Sequence, residues 1–552
     1  MPQPGGATVR TNRLMEPVVN MSDEDGPRRA PFSGAVSNVA TGSATIRQWI
    51  ERAAELHPDK PFIISIDDRK QISYAQFRRL TRQIAACLHD RGIRPNDRVA
   101  LLANSSIEHL VCYFGVLAYG ATICTIHVEM NRRYLEKVVR LLNPRLVLHE
   151  NAPELDDLVV QIAAPRFALG EWDCTEGDTF FAATRRLAAS TRISLAGERD
   201  DAEILFTSGT SAWPKGVVQT YREMLSNVIA SAEGFGVTAD DRIYDFRSFN
   251  WASAQLLGAL VPLCRGATLV MTKKFSSSRF FQHLRDYRVT IAAGNPTTIN
   301  MLLNCNSAVD ARDLPALRFV VSSSAPLLLE EWRRFEERFG LCIAQGYGSS
   351  ETGWIATCPG ESRKFGTVGK PLPYHDLAIV GADGRCLPQG KIGFVELGGF
   401  ADNTFRYLAE DGSVKVNSRG RTQTGDLGYL DADGYLHLTG REKELIIRGG
   451  VNISPVEIDE ILMQQSEIAE VATVGVPDRV WGEEVVSYVV LRPGSAIGTE
   501  DILAFCHCHI PAFKAPKRII IRNDLPKTDR GKLDRKALVS EWINTDAACA
   551  TG

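Results

Sequence analysis

The feature that most constrains the fold is an alternation of short apolar segments with helical patterns between residues 44 and about 440. Residues 99–102 and 267–271 have the length and composition of buried strands, and residues 319–321 are followed by a helical pattern over 328–339. Parallel strands need helix-sized connections, so strands that alternate with helices favour parallel pairing. We therefore predict an α/β chain with a large domain of layered, mostly parallel sheets flanked by helices.

The pattern changes after Gly440 to that of a smaller α+β unit. We predict a helix over 453–465, with Ser454 as its N-cap before Pro455, then strands over 471–476 and 485–491 and a helix over 501–509. A chain of 552 residues is also too long for one core. The predicted organisation is a disordered or loosely packed arm (1–43), a large domain (44–440), a hinge (441–444), a small mobile domain (445–540) and a tail (541–552).

Composition and charge exclude several classes of partner. The formal charge of −3 gives no sign of nucleic-acid binding, and 44% hydrophobic with 23% charged residues is ordinary for a soluble protein. The apolar stretch 110–126 is interrupted by Gly115 and Gly120, which favours a buried helix running into a strand over membrane insertion. No signal peptide is visible at the N-terminus. A homodimer is left open.

The 12 cysteines are scattered rather than closely spaced, which predicts reduced thiols and a cytoplasmic location. The cluster at residues 506–509 alternates Cys and His, and alternating residues do not share one face of a helix. We therefore interpret it as the side of a helix rather than a metal site.

The most informative segment is a strand end that runs into hydroxyls, glycine and Pro-Lys-Gly at residues 205–217. Small residues let successive backbone N–H groups turn toward a phosphate, and a lysine adds a point charge. The spacing is not that of a Walker loop. A Ser/Thr-rich surface turn is the alternative interpretation. The candidate phosphate-binding residues are Thr207, Ser208, Gly209, Thr210, Ser211 and Lys215.

This loop resembles the phosphate loop of the adenylate-forming superfamily, which includes acyl-CoA synthetases, luciferases and the adenylation domains of peptide synthetases. It departs from the family pattern at Ala212, where glycine is usual, and alanine tolerates positive φ poorly. The resemblance covers residues 45 to 540, and it implies the adenylate-forming fold with ATP and Mg²⁺ as requirements.

Two further motifs resemble those of the same superfamily in the same order. In residues 345–352, the resemblance implies that Tyr347 stacks on adenine, Ser350 binds the α-phosphate and Glu351 is a catalytic residue and a ligand of Mg²⁺. In residues 424–428, it implies that Asp426 binds the ribose hydroxyls. Each motif alone would be interpreted as a polar turn. The other residues assigned to ATP or AMP binding are Ser324, Ala325, Pro326, Gly346, Gly348 and Arg441.

The last motif, residues 526–535, contains Lys532, which resembles the family's catalytic lysine. A cation beside the α-phosphate stabilises charge that grows in the transition state as a carboxylate displaces pyrophosphate. Lys443 falls at the family's hinge position between the domains and is carried over as a catalytic candidate. Solvated surface charge is the alternative interpretation for both lysines.

Residues 447–458 resemble the loop of acyl-CoA synthetases that enters the site after adenylation, with Arg448, Gly449 and Gly450 as the candidate CoA-binding residues. The alternative is a glycine turn before a helix. No carrier-protein domain follows, which favours free CoA as the acceptor.

By resemblance, a second group of residues lines the acyl pocket, and many CoA ligases have histidine where Phe249 to Ser253 stand here. Trp251 and Trp354 are consistent with a small or planar acid or with a cationic one, and Arg247 with a second carboxylate. Core aromatics and a surface arginine are the alternatives. The candidate pocket residues are Arg247, Asn250, Trp251, Ser253, Ser322 and Trp354.

The sequence thus predicts an ATP-dependent carboxylic acid–CoA ligase, an acid–thiol ligase that forms acyl-AMP with release of pyrophosphate and then a CoA thioester with release of AMP. Two alternatives stay open. One is an adenylating enzyme with an amine, a carrier thiol or oxygen as acceptor. The other is a catalytically silent nucleotide-binding protein of the same fold.

Overall fold

The computed structural model describes residues 42–189, 196–207, 215–360, 363–398, 404–418, 421–528 and 532–550. All but the last two residues of the predicted N-terminal arm therefore lie outside the described residues. So do Ser208, Gly209, Thr210 and Ser211 of the phosphate loop, together with Ala212.

Helices account for much of the described chain. They are α1 Ser43–Leu56, α2 Tyr74–Asp90, α3 Ile107–Tyr119, α4 Arg132–Leu142, α5 Pro153–Val160, α6 Phe180–Arg185, α7 Tyr221–Gly234, α8 Ala252–Ala254, α9 Val261–Arg265, α10 Phe280–Asp286, α11 Pro296–Leu303, α12 Leu329–Phe339, α13 Pro455–Leu462, α14 Thr499–His509 and α15 Arg535–Ala550. A π-helical segment, Gln255–Leu260, joins α8 to α9, and short 3₁₀ turns lie at Ala311–Asp313 and Glu442–Glu444.

The strands are β1 Pro61–Ser65, β2 Lys70–Ser73, β3 Arg98–Leu102, β4 Thr122–Ile126, β5 Leu146–His149, β6 Arg166–Ala168, β7 Asp201–Thr207, β8 Lys215–Thr220, β9 Arg242–Asp245, β10 Thr268–Met271, β11 Ile291–Ala292, β12 Phe319–Ser323, β13 Ile343–Ser349, β14 Gly353–Cys358, β15 Lys370–Pro371, β16 Asp376–Val380, β17 Gly393–Gly398, β18 Thr404–Leu408, β19 Val414–Ser418, β20 Thr422–Leu430, β21 Leu436–Arg441, β22 Ile446–Arg448, β23 Val451–Ile453, β24 Ile468–Asp478, β25 Gly482–Leu491 and β26 Arg518–Arg522.

The large domain contains two mixed sheets with parallel centres. One has the order β15-β14-β13-β12-β11-β9-β10-β1-β2, and its six strands from β13 to β1 are parallel. The other has the order β19-β18-β8-β7-β4-β3-β5-β6, with β3 to β7 parallel. Helices α2, α3 and α7 lie in the layer between them, in a core of fully buried residues such as Phe62, Phe114 and Leu257. The predicted layering is confirmed.

A third sheet, β16-β17-β20-β21, is wholly antiparallel, so the parallel prediction does not extend to it. Its β20–β21 hairpin turns at residues 431–435. The small domain follows with the order β23-β22-β25-β24 and β26 beside β25. Its two sides are covered by separate apolar clusters, one with α13 and α14 and one with α15.

The apolar stretch 110–126 forms most of α3, ends that helix at Gly120 and continues as β4. Within the part of the chain that the structure describes, no helix is long and apolar enough to cross a membrane. The eleven cysteines whose side chains the structure describes are all free, and no group of three or more potential ligands is placed to hold a metal ion among the described residues.

Ser454 precedes α13 as predicted, with Pro455 at the first helical position, but its side chain does not cap the helix. The Ser454 hydroxyl donates instead to the carbonyl oxygen of Thr439, at the end of the large domain. Gly440 has φ +150°, and a Cβ built on it would lie 2.8 Å from Ser454 Oγ. This close approach explains why glycine stands directly before the predicted hinge.

Candidate active site

The nucleotide-binding candidates meet where the ends of three sheets come together. Tyr347 lies on β13 of the first large sheet, Lys215 begins β8 of the second, and Asp426 lies on β20 of the antiparallel sheet. Tyr347 and Asp426 are both buried, and the Tyr347 hydroxyl donates to Asp426 Oδ2 at 2.5 Å. Burial and the neighbouring carboxylate raise the pKa of Tyr347, so its hydroxyl stays protonated and holds the carboxylate in place.

Asp426 is also fixed from its other side. It faces Arg441 directly across the β20–β21 pair, and Arg441 Nε lies 2.8 Å from Asp426 Oδ1. The Asp426 N–H donates to the Thr424 hydroxyl. The side chains of Tyr347, Asp426 and Arg441 thus form one connected group, as expected for residues that would contact a single nucleoside.

Lys215 and Glu351 form the second group. Lys215 Nζ lies 3.7 Å from Glu351 Oε1 and 3.7 Å from the ring centroid of Tyr407. Both charged side chains are partly exposed, so the pair is open to a phosphate or a cation. Thr207 ends β7 in the same hairpin as Lys215. Tyr407 was missed by the sequence analysis because it lies almost 200 residues from Lys215 and carries no motif.

The turn that holds Ser350 and Glu351 is braced from behind by side chains that the sequence analysis also missed. Gln219 Nε2 donates to the Ser350 carbonyl at 2.8 Å. Asn227, buried in α7, donates to the carbonyls of Thr352 and Trp354 and accepts from the Trp354 N–H at 3.1 Å.

Gly353 in this turn has φ +65°, and a Cβ there would lie 2.4 Å from Asn227. The turn is therefore packed tightly onto α7. The one hint in the sequence was an asparagine inside a helix, where it has poor propensity unless its amide has another partner.

The acyl-pocket candidates Arg247 and Trp354 are connected through Ser323 and Gly346. Arg247 Nη1 lies 3.5 Å from Ser323 Oγ, and Ser323 pairs with Gly346 across β12 and β13. A Cβ on Gly346 would lie 2.5 Å from the Trp354 ring, so the indole lies directly against this glycine. Trp354 is buried and also makes an edge contact with Phe235.

Arg247 was expected to be available to a second carboxylate, but the structure gives it a partner within the protein. Its Nε and Nη2 bind the two oxygens of Asp245 at 2.9 and 2.7 Å, and both residues are buried. Nη2 also donates to the backbone carbonyl of Ser253. The two residues are two apart at the end of β9, and side chains at i and i+2 share one side of a strand, so this spacing was a usable signal.

Ser322 does not lie with the other pocket candidates. Phe319 and Val321 of β12 belong to the apolar cluster that contains Trp354, whereas Val320 belongs to the cluster on the other face. Because strand side chains alternate, Ser323 is on the Trp354 side and Ser322 on the opposite side. Ser322 therefore does not share a face of β12 with the residues beside Trp354, whereas Ser323 does.

Asn250 and Trp251 lie beside the second sheet. Asn250 Nδ2 donates to the Ala103 carbonyl just after β3, while its Oδ1 is buried and has no hydrogen-bond partner among the described residues. The Trp251 ring is nearly parallel to that of His127, with 6.1 Å between centroids. His127 directly follows β4, so both candidates stand near the carboxyl ends of parallel strands.

The backbone after β12 is unusual. Ser324 has φ +73°, a left-handed conformation that is rare for a residue other than glycine, and it is followed by Ala325 and Pro326. Such conformations persist only when the surroundings enforce them, and they are frequent near functional sites. Gly348 is similarly constrained, because a Cβ there would lie 2.1 Å from the Gly353 carbonyl oxygen.

The small-domain candidates lie on two different loops. Gly449 and Gly450 form the exposed turn of the β22–β23 hairpin, with φ of +57° and +83°. Arg448 pairs with Glu484 at 2.6 Å and lies over the Trp481 ring. Lys532 lies in the loop between β26 and α15, and its N–H donates to the Thr528 hydroxyl. Lys443 is exposed in the 3₁₀ turn between the domains.

The layered fold and this meeting of aromatic, acidic and basic side chains are those of a nucleotide-binding α/β enzyme. The chain belongs to the AMP-binding enzyme family: residues 50–401 match that family and residues 457–532 match the AMP-binding enzyme C-terminal domain.

Known proteins similar to this chain agree with that assignment. The oxalate–CoA ligase of Arabidopsis thaliana is 31% identical over 518 residues, which cover 91% of this chain and 99% of the relative. A crotonobetaine/carnitine–CoA ligase of Salmonella paratyphi A is 29% identical over 520 residues, 90% of this chain and 99% of the relative. The ATP-bound structure of MatB from Rhodopseudomonas palustris superposes with a TM-score of 0.81 at 26% identity, covering 91% and 99% of the two chains. The predicted family, fold class and enzyme class, an acid–thiol ligase, are confirmed.

Proposed function

We propose that this protein is an ATP- and Mg²⁺-dependent ligase that joins a small carboxylic acid to CoA through an acyl-AMP intermediate. The observation that carries the nucleotide part is the connected group of Tyr347, Asp426 and Arg441. A planar ring, an oriented carboxylate and a guanidinium suit adenine, two vicinal ribose hydroxyls and a phosphate, respectively. The relatives named as CoA ligases support the acceptor.

In the first half-reaction, a carboxylate oxygen of the acid attacks the α-phosphorus of ATP and the bond to the β-phosphate oxygen breaks. Acyl-AMP and pyrophosphate result. Lys215 binds the terminal phosphates, and Lys532 stabilises the negative charge that grows on the α-phosphate and on the leaving group.

Mg²⁺ would be held by Glu351 together with the phosphates of ATP. Mg²⁺ is commonly bound by one or two carboxylates plus substrate phosphates, so a single acidic residue close to Lys215 fits that ion. When bound, the ion neutralises phosphate charge. Asn227 and Gln219 keep the Glu351 turn in place behind it.

In the second half-reaction, the CoA sulfur attacks the acyl carbonyl carbon, the thiol proton is lost and AMP leaves. We infer that the small domain turns about the hinge that includes Lys443, so that the loop of Arg448, Gly449 and Gly450 replaces Lys532 at the site. The exposed 3₁₀ turn at the hinge and the glycine backbone at positive φ support this movement.

The acid is proposed to be short and to carry a second polar or charged group. Trp354 against Gly346 limits the length of the pocket. The buried Asp245–Arg247 pair offers groups of both charges, and the Trp354 Nε1 is buried without a hydrogen-bond partner among the described residues. The two relatives carry the names of short acids with a second charged group, one anionic and one cationic.

A panel experiment tests the proposal. The protein is incubated with ATP, Mg²⁺ and oxalate, malonate, crotonobetaine, benzoate or hexanoate, with and without CoA, and pyrophosphate, AMP and thioester are measured. Thioester that requires CoA, with a short polar acid preferred to hexanoate, is the expected result. AMP release that requires an amine in place of CoA would contradict the proposed acceptor. Adenylation of none of these acids would favour a silent nucleotide-binding protein.

We place the enzyme in the cytoplasm, which the free cysteines of the described chain support. Homodimerisation stays a prediction.

A further inference from the structure

The two domains are joined by a hydrogen bond that caps a large-domain helix with a small-domain carboxylate. Helix α12 begins at Leu329, and its N-cap residue Leu328 has no side chain able to cap it. Glu460 of α13 fills that role, with its two oxygens 3.0 and 3.2 Å from the Leu329 nitrogen. A side-chain oxygen that accepts from an N–H left free in the first turn of a helix caps that helix. Leu328 packs against the apolar core of the small domain.

A second bridge lies beside the first. Asn300 of α11 uses its side-chain amide to donate to Glu331 Oε1 at 3.0 Å and to the Ala469 carbonyl of β24 at 3.2 Å. Asn300 and Glu331 are each 8% exposed, so both bonds are shielded from water. We call Asn300, Glu331, Glu460 and the two backbone groups of Leu329 and Ala469 the docking cluster.

The orientation that this cluster holds leaves the glycine loop in solvent. Gly449, Gly450, Val451 and Asn452 are all exposed. Under the proposed function, thioester formation needs that loop inside the site. The docked orientation is therefore not the one in which that loop serves the site.

Acidic groups dominate the surroundings of the cluster. Glu331 faces Glu470 and Arg334, and Glu460 faces Glu331, Asp459 and Glu330. The nearby cations have partners of their own: Lys527 pairs with Glu470, and Arg535 pairs with Asp459.

Burial raises the pKa of Glu331 and of Glu460 to about 7 in each case. Both carboxyls would regain water if the domains separated, and their pKa values would then fall toward the ordinary range near 4.5. The docked form thus holds more protons than the undocked form. Docking is strongest below about pH 4.5, weakens as the pH rises toward 7, and changes little above that.

We propose that Asn300, Glu331 and Glu460 are positioning residues that dock the small domain in the orientation for adenylate formation, and that ionisation of the two carboxyls loosens this dock before the thioester step. The inference rests on the proposed function for its catalytic meaning. The dock itself rests only on the contacts between α11, α12, α13 and β24.

Hydrogen exchange measures the dock without any substrate. The Leu329 N–H is protected by Glu460, so Asn300→Ala and Glu460→Ala should increase exchange in a peptide covering residues 326–335 by tenfold or more. Glu337→Gln, on the exposed side of the same helix, is the matched control and should leave that peptide unchanged. Unchanged protection in both docking variants would overturn the inference.

Assays of the two half-reactions measure the effect of domain docking on catalysis. With the acid that responds best in the panel above, Asn300→Ala should lower acid-dependent ATP–pyrophosphate exchange about tenfold, while thioester formation from the supplied acyl-AMP and CoA is kept or accelerated. Equal loss of both steps would contradict a positioning role.

The pH dependence supplies a readout that a merely structural role would not change. In the wild type, the ratio of the first to the second half-reaction should fall between pH 5.5 and 7.5. Glu331→Gln keeps the shape and the Asn300 bond but cannot ionise, so it should flatten this fall, and an unaltered slope would argue against the proposal. The two proposals can also fail separately. If no acid is adenylated but Asn300→Ala and Glu460→Ala still increase hydrogen exchange in the 326–335 peptide, the proposed function is wrong while the docking contacts are supported.

Discussion

Tyr347 donates a hydrogen bond of 2.5 Å to Asp426, which joins a strand of the largest sheet to a strand of the antiparallel sheet. Tyr347→Phe keeps the ring that stacks on adenine and removes this bond. A hydrogen bond to a charged group contributes about 1.5–3 kcal/mol, so we expect KM for ATP to rise about tenfold or more with kcat changed much less. Steady-state kinetics with varied ATP measures this. A lower kcat at unchanged KM would mean that the bond serves the chemical step instead.

Lys532 is predicted to act in adenylate formation alone. Lys532→Ala should reduce acid-dependent ATP–pyrophosphate exchange by at least a hundredfold, because an oriented charge at the transition state is lost. Thioester formation from supplied acyl-AMP should persist. Lys536→Ala, an exposed lysine on α15, is the matched control and should retain both steps. Equal loss of both steps in Lys532→Ala would show that its role is wrongly assigned.

Trp354 is predicted to set the length of the acid. Trp354→Leu removes part of the indole that lies against Gly346, so kcat/KM for hexanoate relative to the short acid should increase at least tenfold. The cavity should also destabilise the protein by about 2–4 kcal/mol. Trp332→Leu, a fully buried tryptophan in the other apolar cluster, should cost similar stability without changing acid preference. A similar shift of preference in both variants would contradict a pocket role for Trp354.

Asn227 is predicted to position Glu351 through the backbone of the turn. Asn227→Ala removes three hydrogen bonds to Thr352 and Trp354. We expect the Mg²⁺ concentration for half-maximal pyrophosphate exchange to rise severalfold, with the thioester step from acyl-AMP little changed. Ser226→Ala on the same helix is the control. An unchanged Mg²⁺ requirement in Asn227→Ala would leave this residue a purely structural role.

Glu203 on β7 is fully buried and accepts a hydrogen bond from Tyr113 at 3.0 Å, and burial raises its pKa to about 7. The folded state therefore binds a proton more tightly than the unfolded state, whose pKa is near 4.5. The free energy of unfolding should decrease as the pH rises from about 4.5 to 7 and then level off. Glu203→Gln avoids this loss.

Denaturant unfolding at two pH values tests Glu203. At pH 8 the glutamine variant should be more stable than the wild type by an amount on the order of 3 kcal/mol, and at pH 4.5 the two should be nearly equal. Glu337→Gln, exposed on α12, should show no such pH-dependent difference. A gain of the same size at both pH values would mean that Glu203 stays ionised in the folded protein.

Local patterns in the sequence were enough to predict the layered fold, the nucleotide motifs and the helix-to-strand run over residues 110–126. Tyr347 and Asp426 were identifiable because each lies in a short motif of fixed spacing. The residue that holds the Glu351 turn in place could not be identified in this way, because Asn227 contacts Thr352 and Trp354 across more than 120 residues of chain.

The acyl pocket, too, could be predicted from the sequence only in part. Arg247 was a sound candidate, but its charge is balanced by Asp245, and only tertiary packing shows that both are buried. Ser322 and Ser323 cannot be distinguished by composition, since which of two adjacent strand residues faces the pocket depends on the register of the whole strand. The antiparallel third sheet was not predicted, since the pairing of β17 with β20 depends on contacts between segments distant in sequence.

The nucleotide candidates come from three different sheets, and this has a mechanical consequence. No single sheet contains a complete binding site, so a bound nucleotide would contact all three sheets and hold them together. Its binding energy would resist their sliding or separation. In the empty protein the junction would rest on direct contacts such as the hydrogen bond between Tyr347 and Asp426.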